Sequence, residues 1–141
     1  MSKKTKNAET ILGQDVNANI GVRGEDDEDV SNVIGPHGIN NRNKKGVWAL
    51  QWLNMMQLKA ANTFFEHHDY TTHTSFLPPS LPQMLDIWSI SSSSFKRVQN
   101  CGVCKGIPSD HAAVGLQLAI SLIAQPRAVR WPLIRSRAAG R

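Results

Sequence analysis

A mixed α/β fold is what the hydrophobic pattern of this chain predicts, and three observations carry the prediction. Residues Ala112–Ile123 alternate, with Val114, Leu116, Leu118, Ile120 and Leu122 on one face against Gly115, Gln117, Ala119 and Ser121, the two-residue period of a half-buried strand. Residues Val47–Lys59 instead recur at helical spacing, through Trp48, Trp52 and Met55-Met56 with Ala49 and Leu53 alongside. The alternating run and a second one starting at Ile11 are edged by compact polar clusters, Ser109-Asp110-His111 and Asp15-Val16-Asn17, as where a sheet protein projects chemistry from a rigid strand end. With 141 residues, 40% hydrophobic and 19% charged, the chain has length for one domain with a core and is short for two.

The elements follow in order. Residues 1–10 are a ragged, lysine-rich start. Ile11–Ala18 reads as a short strand running into a loop, and on a strand Asp15 and Asn17 share one face. Glu25-Asp26-Asp27-Glu28-Asp29 lacks the spacing and glycine of a calcium loop, so it reads as a solvated loop. Gly35-Pro36-His37-Gly38 and Asn40–Gly46 continue as turns. In the helix over Val47–Lys59, the Trp and Met stripe is the expected packing face. Ala60–Phe65 reads as a strand, His67–His73 and Pro78–Pro82 as an open loop, and Leu85–Ile90 as a strand with one carboxylate, Asp86. Ser91–Ser94 is a turn and Val98–Val103 an edge strand. From Gln125 onward Pro126, Pro132 and five arginines predict a loosely ordered tail.

A net charge of +5 and a pI near 9.6 favour a polyanionic partner such as nucleic acid. Much of that charge sits at Lys3, Lys4 and Lys6 and at Arg127, Arg130, Arg135, Arg137 and Arg141, which either grip phosphates or have no role. Met1–Lys6 does not lead into an apolar signal core, and the longest apolar stretch, Ala112–Ala124, falls short of the roughly 20 residues of a membrane span. The expectation is an intracellular chain, not secreted, with no membrane partner and with the nucleus among its compartments. Cys101 and Cys104 are too few for a secreted disulfide framework. Their spacing is half a zinc site, which His67, His68, His73 or His111 would have to complete. Two ordinary cysteines near a strand are the preferred reading.

Taken together, Gly13-Gln14-Asp15-Val16-Asn17-Ala18-Asn19-Ile20-Gly21, Gly35-Pro36-His37-Gly38, Asn62-Thr63-Phe64-Phe65, Leu85-Asp86-Ile87-Trp88 and Ser109-Asp110-His111 resemble the endonuclease/exonuclease/phosphatase superfamily. The likeness is to the C-terminal half of the apurinic-endonuclease-like domain of non-LTR retrotransposons, and it covers residues 11–123. It leaves 1–10 and 124–141 as flanking segments. The resemblance implies part of a four-layered α/β sandwich, two mainly antiparallel sheets between helices, with the N-terminal half missing. It also implies phosphodiester cleavage assisted by Mg²⁺.

Such cleavage needs an activated water, a cation near the phosphate oxygens, and donors for the developing charge. By resemblance Asp15 would orient or deprotonate the water, and Asn17 would hydrogen-bond the phosphate or nucleophile. His111 would donate to a phosphate oxygen, with Asp86 fixing its tautomer, and Asp110 would bind the metal. The family's metal-binding Glu and first-strand Asn lie upstream of the Asp-x-Asn strand, where this chain offers residues 1–14, and Glu9 is not in the context of that Glu. A family Trp is replaced by Ser75, and a Gln or Arg by Met84. Two expectations follow: an endonuclease-like domain, weakly active or inactive alone, acting on DNA rather than RNA, or a non-catalytic remnant that at most binds nucleic acid.

Overall fold

The computed structural model describes residues 9–67, 83–104 and 109–120. Strands β1 (Ile11–Asp15), β2 (Leu58–Ala60) and β3 (Asp86–Ser91) form one antiparallel sheet in the order β1-β3-β2. Strands β4 (Val98–Cys104) and β5 (Ala113–Leu118) form a second antiparallel sheet. One helix, α1 (Lys44–Met55), is present among the described residues. The fold is thus mixed α and β with two antiparallel sheets, a partial α+β sandwich. No helix among these residues is long and apolar enough to cross a membrane.

The central strand β3 joins two cores because its side chains alternate across the sheet. Ile87 enters a cluster with Ile20, Val33, Ile34, Leu50, Leu53, Leu58, Ala60 and Met84. On the opposite face Ile90 packs with Ala61 and Cys101, flanked by Trp88, Val114 and Leu116. The Trp88 indole N–H donates to Val114 O at 2.8 Å. Its ring lies against Gly13, where an added Cβ would sit 3.0 Å from the ring edge. These contacts hold β5 against β1 and β3, which sets the position of the segment before β5.

The helix differs from expectation in both its ends and its face. It begins at Lys44 because Asn43 caps it, accepting from the Gly46 N–H at 2.8 Å. It ends before Gln57, whose φ of +54° turns the chain into β2. Gly46, Leu50 and Leu53 face inward. The Trp and Met stripe faces outward, with Trp48 59% and Met55 82% exposed. Two apolar stripes on one helix compete, and close approach at Gly46 decides between them. A Cβ there would lie 1.8 Å from Asn19 O, so only glycine lets the helix sit flush on that backbone.

Of three smaller differences, two come from side chains bonding locally to backbone and the third from an ion pair. The strand expected over Ala60–Phe65 stops at Ala60, and Ala61–Phe64 is a 3-10 turn. Thr63 Oγ1 donates to Ala60 O and accepts from the Gly35 N–H, both at 2.7 Å. The strand β1 stops at Asp15 rather than continuing toward Ala18. The acidic block is not wholly solvated, since Asp27 receives two bonds from the Arg42 guanidinium, at 2.5 and 2.8 Å. In the last strand regular pairing ends at Leu118, opposite Val98. The expectations for 1–8, for 68–82 including His68 and His73, and for 121–141 lie outside the described residues.

Candidate functional site

Asp15 closes β1 and Asp86 opens β3, and the antiparallel register pairs them directly. Cross-strand partners share a face, so both carboxylates project toward the same side. The segment ahead of β5 brings His111 to them. Its Nδ1–H donates to Asp86 Oδ2 at 2.8 Å, and its backbone N–H is held by Ser109 Oγ at 3.2 Å. One ligand atom each from Asp15, Asp86 and His111 lie within 4.8 Å of one another. A groove of about 310 Å³ runs beside them, lined by Gly13, Gln14, Asp15, Asp86, Trp88 and Val114 among others.

Three of the five expected residues therefore come together. Asn17 does not share a strand face with Asp15: its φ is +43°, and its N–H donates to Asp15 Oδ1 at 2.7 Å. That is an Asx-type turn, in which the Asp side chain satisfies the backbone that would otherwise continue the ladder. Asp110 is exposed and outside the three-residue group, with Oδ1 accepting from Ser109 Oγ at 3.3 Å. It is still close enough for its charge to act on His111.

The electrostatics follow from this crowding. The bond to Asp86 raises the His111 pKa above the ordinary 6.5, opposed by desolvation and assisted by the charges of Asp86, Asp110 and Asp15. With Nδ1 engaged by Asp86, Nε2 is the ring nitrogen left for a ligand. The donor set also fits a hard divalent cation, because Mg²⁺ takes one or two carboxylates and keeps several waters. Among the described residues Asp15, Asp86 and His111 lie close enough to share such an ion, and Asp110 lies outside that group.

The sequence reading of Asn62 as a strand residue missed its part in this site. Asn62 is buried, its Nδ2–H donates to Asp86 O at 3.1 Å, and its Oδ1 accepts from the Trp88 N–H at 2.9 Å. The Cys101 thiol donates to the same Oδ1 at 3.3 Å. The carboxamide thus clamps β3 on both sides of Ile87 and fixes the backbone that carries Asp86. Only the motif Asn62-Thr63-Phe64-Phe65 marks it in the sequence, and periodicity alone reads that as strand.

The two cysteines differ in burial. Burial pushes the Cys101 thiol up to about 12, while Cys104, three residues on, is exposed. Among the described residues neither belongs to a group placed to hold a metal. His67 lies beside them, but its Nε2–H donates to Cys101 O at 2.8 Å. No family model, curated protein or solved structure matches the chain.

Proposed function

We propose that Asp15, Asp86, Asp110 and His111 form a phosphodiester-handling site of the endonuclease type, acting weakly on nucleic acid, DNA before RNA. The observation that carries this reading is the His111 Nδ1–Asp86 Oδ2 bond set beside Asp15, built from three separate segments. The carboxylate keeps the imidazole charged and oriented, so Nε2–H is ready to donate to a phosphate oxygen. Asp15 is the base that orients or deprotonates the attacking water. Asp110 would bind a divalent cation, Mg²⁺, directly or through water, and when bound the ion supplies positive charge to the phosphate oxygens. Asn17 contributes from its turn, through the N–H that fixes Asp15, rather than from a strand face. The net charge of +5 supports a polyanionic substrate.

The test is incubation of the purified chain with abasic duplex and supercoiled plasmid in Mg²⁺. Slow cleavage is expected, lost on chelation and reduced about 10²-fold or more in His111→Ala and in Asp15→Ala. Cleavage equal in wild type and both variants would remove the reading. Binding of the duplex with no cleavage by any of them would favour the second reading, a non-catalytic remnant that at most binds nucleic acid.

A further inference from the structure

We propose that the exposed face of α1 is the docking surface for residues 127–137 of this same chain. The surface is apolar where a soluble helix should be polar: Val47, Trp48, Trp52, Met55 and Met56 are all exposed. Along one side it borders a groove of about 560 Å³, lined by Val30, Val47, Leu50 and Met55, with Asp27, Asp29 and Arg42 at its edge. Glu25, Asp26 and Glu28 lie in the same loop and are exposed. The occupant this combination fits is a segment with apolar side chains interleaved by cations.

Residues 127–137 have that chemistry: Val129, Trp131, Leu133 and Ile134 alternate with Arg127, Arg130, Arg135 and Arg137. Reach is not limiting. The Ala119 N–H bonds Arg97 O, the Arg97 N–H bonds Ser94 O, and the Ser92 N–H bonds Gln57 O. The chain therefore leaves β5 close to Gln57, at the carboxyl end of α1. Residues 121–127 can extend about 24 Å, whereas a helix of this length spans about 18 Å. Tethering also presents the segment at an effective concentration on the order of 1 mM, so modest affinity suffices.

Two other occupants fit less well. A second copy would rest on one helix face about 18 Å long, against the roughly 800 Å² per partner of a stable interface. Nucleic acid could stack on the tryptophans near Lys44 and Lys45, but the neighbouring carboxylates repel a polyanion.

The experiment uses the full chain with p-benzoylphenylalanine in place of Trp131, irradiated and mapped by mass spectrometry. The expected result is an intramolecular crosslink within Val47–Met56. Its yield should fall about tenfold when Glu28→Lys and Asp29→Lys replace attraction by repulsion. Crosslinks to other elements, crosslinked dimers, capture of added duplex DNA instead, no crosslink, or a yield indifferent to the charge reversal each overturn the proposal. None of the substituted residues belongs to the Asp15–His111 site, so this outcome is separate from that of the cleavage assay.

Discussion

A carboxylate bonds His111, and that bond fixes the sign of its pH dependence. Its pKa is raised above 6.5 in the folded chain, chiefly by the Asp86 bond. The stabilisation it contributes is therefore whole below about pH 6.5 and lost as pH rises through the folded value. In an NMR titration the His111 ring should show a midpoint above 6.5, and Asp86→Asn should bring it down. Asp27 carries the opposite sign. The Arg42 guanidinium holds its carboxyl below the ordinary 3.8, so its contribution is present above that value and lost as pH falls through the folded one. Asn62→Ala should cost about 1–3 kcal/mol in urea unfolding, the penalty of leaving buried backbone groups unpaired. It should also lower the His111 midpoint, because the Asp86 backbone loses its clamp. A merely structural Asn62 would leave that midpoint where it was. At this scale the sequence order of the motifs was enough to bring Asp15, Asp86 and His111 into one expectation. Asn17 was misread because alternation along a strand says nothing of an Asp side chain that caps its own turn.

At the scale of elements, α1 shows how periodicity can name a helix and miss its orientation. Trp48, Trp52 and Met55 have the same 3.6-residue repeat as Gly46, Leu50 and Leu53, and larger side chains. What chooses the buried face is the contact of Gly46 with the Asn19–Ile20 backbone, a long-range approach invisible in a local pattern. The consequence is measurable. Leu53→Ala should destabilise by about 2–5 kcal/mol, and by more than Trp48→Gln on the opposite face. Gly46→Ala would gain about 1 kcal/mol of helix propensity in isolation. Here steric overlap outweighs it, and a net loss is expected in thermal or urea unfolding. The strand at Asp86–Ser91, the turn after it and the strand at Val98–Cys104 were legible, since apolar runs bounded by a serine cluster leave little choice. The 3-10 turn at Ala61–Phe64 was not, because its hydrogen bonds come from Asn62 and Thr63 side chains rather than from a ladder.

Over the whole molecule, a mixed fold with antiparallel sheets follows from the alternating and helical segments, and β3 is the strand that makes them one structure. It carries Ile87 into one core, Ile90 into the other, and Asp86 onto the face where β5 delivers His111. Among the described residues carboxylates concentrate in two places, one at Asp15, Asp86 and Asp110 and one at Glu25–Asp29. The proposed function needs a divalent cation at the first. Titrating Mn²⁺, an oxygen-seeking stand-in for Mg²⁺, into the full chain while following NMR line broadening asks the question without requiring turnover. The account predicts that resonances of Asp15, Asp86, Asp110 and His111 broaden first, that excess Mg²⁺ reverses this, and that Asp15→Asn with Asp110→Asn abolishes it. Broadening centred on Glu25–Asp29, with the Asp15 and His111 resonances untouched, would contradict it.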